Sequence, residues 1–590
     1  MRSVDSETAQ HRASVNGRVA FVGSATALAV GLIVLIERIG APEQLVEVLA
    51  PAVMVMALAV IGLATGSARL SGFYAAGRDV PGPYAGLAAL GLAAGLSMPM
   101  VLRALKGTDA PVLLGGILGG LALAVLGTGP LVRQSGAVSL VNYIGQRFPS
   151  RAVRVVSALL VAAIGACVAV AGFETAVRAM GEVAGIGRWP AILISAPVIA
   201  AIGIPGGVAG VVWAAAAAAA LLLVSITVPV VLSLPAEFRL PLPIFGDVEA
   251  WTGAAQRIAA AQGADPRFAI GAPAVAFAAL ALGIGALPPL VAPLIATATG
   301  SEARRAGTTT LIGGLVLIVI AAATMALCVL AVDRELVGRS PDRLPSWSYE
   351  AGSRRLITLC GRAVASPAQA KAACASASDF SGTVRPQDVR ADPAELMIGL
   401  AQAQGRGAAL SCLAAAAVIA LGLTLSAAGL FVLAAALGQG GVARADGRKV
   451  LASPRLALTR ALYLLALCLA AAWLHVASIA PEAMMGLAVA LAAAALAPLL
   501  WLSLWPRAGA SSAAAALMAA AAAGLRFTLG EGVEPDAAIL ARAAVLAFLA
   551  AVITGSLVSI LFRRKRDRDR APPQNRPRSR RPLVASDQGA

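Results

Sequence analysis

The sequence predicts an all-α polytopic membrane protein, and three observations lead there. Of 590 residues, 59% are hydrophobic and only 13% charged, and the mean hydropathy is +0.83. The apolar residues are gathered into runs that match the roughly 20 residues a helix needs to cross a bilayer, about 14 runs in all. Lys and Arg collect in loops on one side of the resulting topology, as the positive-inside rule requires.

In order along the chain, residues 1–17 are polar and lack a small-residue cleavage site. They read as a cytoplasmic N-terminus ahead of a retained span rather than a signal peptide. Spans are expected near 18–38, 46–66, 84–104, 112–132, 153–173, 188–204 and 208–232, and then near 268–297, 309–331, 408–437, 456–478, 482–505, 511–526 and 540–562. The run 511–526 is mostly alanine, near neutral for insertion, and leans on its neighbours. The tail 563–590 is basic and Pro-rich, with ten Lys and Arg against two Asp between Arg563 and Arg581. It reads as a disordered cytoplasmic extension facing anionic lipid, so the net charge of +17 does not imply nucleic acid.

Two of these segments carry helix-breaking residues. The segment 84–104 contains Gly91, Gly95 and Pro99, and the segment 268–297 contains Gly283, Gly285, Pro288 and Pro289. Both are expected to be broken helices, because Gly and Pro free backbone groups that an unbroken helix would consume. A pair of interrupted spans in corresponding positions of two half-sequences points to the binding site of a secondary transporter.

With the tail inside, Arg69, Arg78, Arg133, Arg147, Arg151, Arg154, Arg304, Arg305, Arg444, Arg448, Lys449 and Arg455 fall inside, and Arg103 and Lys106 are the main exceptions. Both termini are then cytoplasmic in a multi-pass inner (cell) membrane protein. The long loop 333–407 falls outside, where its Cys360 and Cys374 form a candidate disulfide in an oxidising compartment. Cys167, Cys328, Cys412 and Cys468 lie in spans as small apolar residues. There is no phosphate loop, nucleophile elbow or His/Cys metal cluster, and only two histidines, His11 and His475, so the chain is not expected to be an enzyme. His475 and Glu174 sit at span ends, where charge is cheap.

Three motifs carry a family resemblance. The stretch Phe73-Tyr74-Ala75-Ala76-Gly77-Arg78-Asp79-Val80-Pro81 resembles the "FYVAGRxxP" of sodium/solute symporters. Residues 139–148, from Ser139 and Leu140 through Tyr143 to Arg147 and Phe148, resemble their "SLxxYLxxRF" loop, and residues 206–213, ending in Trp213, resemble their "GGxxAVxW". The resemblance covers roughly 46–505. Its nearest branch is the acetate/monocarboxylate permeases, whose "STAAGLLL" is similar to Ala427-Ala428-Gly429-Leu430.

The resemblance implies a leucine-transporter-like 5+5 inverted-repeat core. The first five-helix repeat would span 84–232 and the second 268–505, with the extracytoplasmic insert 333–407; the spans in 18–66 and 511–562 would be peripheral. It also implies sodium-coupled symport of a small organic solute, a monocarboxylate such as acetate. Sodium would sit between Gly91 and Ala94 of the first core helix and Gly422, Leu425 and Ser426 of the eighth. Substrate would meet Leu96, Ser97, Met98 and Trp213, the last also readable as an interfacial anchor. The partners implied are solute and membrane lipid, with a small membrane partner left open.

The sequence departs from the pattern at several places. Leu425 replaces a hydroxyl, and Thr424 would serve only in another register. Ala214, Ala215 and Ala218 replace polar residues, and Pro289 and Pro293 replace the His and Arg of "LPHxxxR". These departures keep open a non-transporting or sensory relative and a sodium-independent carrier.

Overall fold

The computed structural model describes residues 2–40, 42–104, 110–233, 252, 271–353, 357–376, 380–391, 408–440, 452–530 and 537–561. The basic tail 563–590 lies outside them. The chain opens with α1 (Arg2–Arg38), α2 (Glu43–Ala64) and the short α3 (Leu70–Ala75). Residues 1–17 were expected as a separate segment, but from Arg2 onward they continue α1. Next come α4 (Gly82–Ala104), α5 (Ala110–Ala122), a π-helical stretch Leu123–Thr128, α6 (Gly129–Gln134) and α7 (Leu140–Arg147). They are followed by α8 (Arg151–Ala184), α9 (Arg188–Gly203), α10 (Val208–Ser233), α11 (Gly271–Gly285), α12 (Pro288–Ile295) and α13 (Gly300–Glu335).

Among the described residues, eight helices are long and apolar enough to cross a membrane, or nine with α11 and α12 taken as one bent span. Shorter apolar helices, at Ala20–Ile36, Val48–Ala64, Gly82–Met98, Arg188–Gly203 and Ala510–Arg526, occupy the other expected segments.

The described residues of the excursion after α13 have secondary structure of their own. It contains α14 (Ser346–Ser353), α15 (Pro367–Ala375) and a three-stranded antiparallel sheet, β1 (Ile357–Leu359) between β2 (Arg362–Ala363) and β3 (Val389–Ala391). The all-α expectation therefore holds for the spans and not for the insert. Leu344, Trp347, Tyr349, Ile357, Leu359 and Val384 bury themselves in a core separate from that of the spans. The Cys360 and Cys374 sulfurs are joined, with Cα atoms 5.2 Å apart. The chain then resumes with α16 (Ala408–Gly440), α17 (Ala452–Val476), α18 (Pro481–Leu491), a π-helical stretch Ala492–Leu496, α19 (Ala497–Leu504), α20 (Ala510–Gly530) and α21 (Ala537–Leu561).

The central element is α16, 89% buried over its apolar window, more than any other span. It packs lengthwise on α8. Lipid is as apolar as leucine, so helices in a membrane gain by close backbone approach at small residues. A methyl group at Gly172 would stand 2.7 Å from the Gly422 carbonyl oxygen, and one at Gly165 would stand 2.7 Å from that of Gly429. The two glycine pairs, each two turns apart, run antiparallel and bring the helices together backbone to backbone.

The three resemblance motifs build the arginine-rich end. Ala76, Gly77 and Arg78 all have positive φ (50°, 69° and 59°), making a tight left-handed turn before α4. Gly207, at φ +58°, is required because a methyl there would sit 2.3 Å from the Phe73 carbonyl oxygen. Arg460 stacks over the Phe73 ring (5.4 Å) and donates to the carbonyls of Ser67, Ile204 and Pro205. Arg147 donates to the carbonyls of Ser503, Trp505 and Ala508, which close the C-terminus of α19.

Candidate transport site

The two segments expected to be broken differ. Between α11 and α12 the path bends by 41°. Leu287 is extended there, and Pro288 and Pro289 open α12, where proline suits the first turn. Backbone freed by the bend is satisfied locally: Ala286 N–H donates to the Gly283 carbonyl, Leu287 N–H to Ile284, and the Thr128 hydroxyl to Gly285 at 2.8 Å. The Thr128 hydroxyl belongs to the π-helical stretch after α5, so a neighbouring helix supplies the missing donor, as membrane backbone demands. Prolines at the first two positions of α12 carry no N–H, which strips the half-helix of the amides that usually hold an anion.

The other segment is not broken. Helix α4 is continuous from Gly82 to Ala104. Its glycines serve packing instead. A methyl at Gly91 would lie 2.4 Å from the Ala215 carbonyl oxygen of α10, and one at Gly95 would lie 3.1 Å from the Leu421 carbonyl oxygen of α16. Ala214, Ala215 and Ala218, which replace polar residues, are fully buried. With Gly91 against Ala215, α4 and α10 are too close for a longer side chain.

The start of α4 is pinned to the segment after α12. The Val80 N–H donates to the Ala296 carbonyl at 3.2 Å, and the Gly82 N–H donates to the Glu302 carboxylate at 2.8 Å.

The predicted ion ligands divide between two faces of α16. Gly95 of α4 meets the Leu421 edge, whereas Gly172 of α8 meets the Gly422 carbonyl and the Ser426 amide, each 2.7 Å from an added methyl. Neighbouring helix positions differ by about 100° in direction, so the two edges diverge. Thr424 lies one turn beyond Leu421 on the α4 side by the same periodicity, whereas the Leu425 backbone carbon would stand 3.2 Å from a methyl at Gly172 of α8. Thr424 Oγ1 donates to the Ala420 carbonyl (2.9 Å) and the Leu421 carbonyl (3.1 Å), which leaves its lone pairs free. Ser426 is fully buried, and its hydroxyl has no partner. The back-bonding open to a helix-interior serine is therefore made by Thr424 and not by Ser426.

The predicted substrate residues do not converge. Trp213 is 2% exposed and touches the Tyr84 ring (centroids 5.6 Å). It is not an interfacial anchor. Leu96, Ser97 and Met98 lie more than three turns further along α4, roughly 20 Å away at 1.5 Å per residue. Leu96 is buried, and the Ser97 hydroxyl donates to the Ala94 carbonyl at 3.3 Å.

The cleft sits instead at the arginine-rich end. It is a small cleft, with a cavity volume of about 30 Å³, between α3, the start of α7, α8, α10, α12 and the far half of α16. Val138, Val161, Val291, Ile295, Phe431 and Ala435 make its walls apolar, and Tyr74 and Ser139 bring hydroxyl groups.

At the opposite end a buried charge cluster went unread in the sequence. Helix α8 runs to Ala184, well past the expected end near 173, so Glu174 lies inside it and is fully buried. Arg188 bridges both its carboxylate oxygens (2.9 and 2.7 Å) and donates to the Leu474 and Ala477 carbonyls. Arg178 donates at 2.7 Å to Oε1, which it shares with Arg188, and also donates to the Ile479 carbonyl. The cluster ties α8 and α9 to the 474–479 connection. His475 is exposed there, its ring 4.5 Å from that of Trp189.

These elements define a multi-pass membrane protein with a bent-helix core. No family model matches the chain, and no curated protein does. Among solved structures, it is similar to a sodium-coupled sialic acid symporter, solved with substrate in an outward-open state. The TM-score is 0.63 at 17% identity, over 88% of this chain and 98% of that one. At that identity the likeness establishes the fold alone. A manganese transporter from Eremococcus coleocola aligns over 82% of this chain and 94% of its own at 14% identity, with a TM-score of 0.44.

Proposed function

We propose that the protein is a secondary active transporter in which a sodium gradient drives uptake of a small organic solute, a monocarboxylate such as acetate. The observation that carries this reading is the near full-length likeness to a sodium-coupled symporter, 98% of which is covered. The two five-helix repeats, 84–232 and 268–505, belong to the same proposal. Sodium enters it as co-substrate. Oxygen is the ligand type a hard cation prefers, and in this reading the Gly91 and Ala94 carbonyls of α4 offer it, although Gly91 packs on α10 and it is Gly95 that meets α16. On α16 the packing favours the Leu421 carbonyl with the Thr424 hydroxyl. The register with Gly422 and Ser426 is the alternative, supported by the unpartnered Ser426 hydroxyl.

The test is labelled acetate uptake into vesicles under an imposed sodium gradient. Thr424→Val raises the sodium concentration for half-maximal uptake if the first register holds, and Ser426→Ala does so if the second holds. Uptake indifferent to sodium across a panel of monocarboxylates overturns the proposal.

A second reading, a non-transporting or sensory relative, is favoured by the closed Gly91–Ala215 contact. It requires no uptake of any solute together with capture of a defined signalling partner.

A further inference from the structure

We propose that the arginine-rich mouth of the cleft is a carboxylate-binding station built by Gln439 and Arg455. Four side-chain polar atoms are both buried and unpartnered among the described residues: Trp213 Nε1, Ser426 Oγ, Gln439 Nε2 and Arg455 Nε. The last two share one place. Gln439 lies in the last turn of α16 and Arg455 in the first turn of α17. A methyl at Gly438 would lie 2.5 Å from Thr459 Oγ1, so the two helices touch there. Thr459 Oγ1 donates to the Arg455 carbonyl and therefore receives its 2.6 Å bond from the Tyr74 hydroxyl. The Arg455 guanidinium lies 6.0 Å from the centre of the Tyr74 ring.

Ser139 Oγ accepts from the Asn142 N–H at 3.2 Å and donates its single proton to Gln439 Oε1 at 2.8 Å. With the Gln439 oxygen facing Ser139, Nε2 has its N–H groups and no acceptor. Gln439 is only 7% exposed, so water does not readily replace that acceptor. An amide donor without an acceptor in such surroundings is costly.

Tyr74 and Ser139 line the cleft, and each also contacts one member of the pair, Arg455 and Gln439 respectively, which places the pair directly behind the cleft wall. The ligand must offer acceptor oxygens, carry negative charge to match Arg455, and present an apolar remainder to walls of Val, Ile, Phe and Ala. A short monocarboxylate has all three, and a free cation is repelled. The bent helix cannot do the same work, because Pro288 and Pro289 lack N–H groups.

The inference deepens the transport reading and rests on it for the direction of passage, although binding at the mouth is measurable without transport. The experiment is labelled-acetate binding to the full chain in lipid nanodiscs, paired with uptake measured from each membrane face. Gln439→Glu preserves shape while replacing the donor with an acceptor, and Arg455→Gln removes the charge. Each is expected to weaken acetate binding about ten- to a hundredfold, the range for a lost hydrogen bond to a charged group. Each should also raise the half-saturating acetate concentration from the arginine-rich face alone. Unchanged acetate binding in both variants overturns the station, as does inorganic phosphate displacing acetate more effectively than propionate does. Sodium-driven uptake with wild-type saturation from both faces in the variants removes the station and leaves transport standing. Variant-sensitive binding in a protein that transports nothing removes transport and leaves the station.

Discussion

A single methyl group added at Gly422 tests the packing that holds the cleft wall in place. The new Cβ would lie 2.7 Å from the Gly172 carbonyl oxygen, 2.9 Å from the Ala176 amide nitrogen and 3.1 Å from the Ala176 Cβ. Ordinary contact begins near 3.4 Å, so the helices must part by roughly 0.5–0.7 Å, and overpacking of that kind costs about 1–3 kcal/mol. Two of the three opposing atoms are backbone, so no side chain can rotate out of the way. Parting α16 from α8 also loosens the Gly429–Gly165 contact two turns on, and it displaces Phe431 and Ala435 from the cleft. Thermal unfolding of the purified protein, followed by helical circular dichroism, should show Gly422→Ala melting several degrees below wild type. The control is Gly486→Ala, where nothing lies within 4 Å of the added atom. There the gain in helix propensity makes the change neutral or stabilising. If the Gly422 and Gly486 variants melt together at the wild-type temperature, the close backbone approach is refuted.

Glu174→Gln leaves Arg178 and Arg188 without their shared anion. With the arginine side chains 40% and 33% exposed, the loss should be about 2–3 kcal/mol rather than the full cost for buried pairs, read as a lower unfolding midpoint. Replacing Cys360 and Cys374 together by Ser should destabilise the insert by about 3 kcal/mol, the loop-closure value for a short ring, while the spans melt unchanged. Burial pushes the Tyr349 phenol up, and its hydroxyl donates to the Pro341 carbonyl at 2.8 Å. That stabilisation is complete below the free phenol's value of about 10 and is lost as pH rises through the folded value. Proteolysis of the insert should therefore quicken in alkali, and quicken less steeply in Tyr349→Phe.

The spans were legible because hydrocarbon imposes one rule on every crossing segment: enough apolar length to span and a backbone satisfied from within. Residues 18–38, 84–104 and 408–437 all fall on helices for that reason. The meaning of glycine was less legible. Gly91 and Gly95 were expected to break α4, and Gly283 and Gly285 to break its counterpart. The same residue type permits two outcomes, a bend or a close approach, and only the partner helix decides. Ala215 and Leu421 present backbone to α4, so it stays straight. Between α11 and α12 the consecutive Pro288 and Pro289 withhold two amides, which no neighbour can restore, so the path bends there.

Side-chain function was harder to read because it depends on which helix lies opposite. Ser426 was chosen by its place in a motif, yet its edge of α16 faces α8. Thr424, set aside for its register, lies on the side toward α4. Glu174 looked cheap at a span end, but α8 continues past it, and a continued helix turns an interfacial charge into a buried one that needs two arginines. Gln439 and Arg455 belong to no motif, and their spacing in the sequence carries no pattern. They become a pair only because Gly438 lets α16 touch Thr459 of α17. The polar residues missing from the middle of this bundle and the unpartnered donors near the cleft are what the proposed carboxylate station requires, with solute recognition at the arginine-rich end rather than at the bent helix. That displacement predicts weak selectivity for the alkyl part of the solute and strong selectivity for its carboxylate. Propionamide competing with acetate as well as propionate does would refute it.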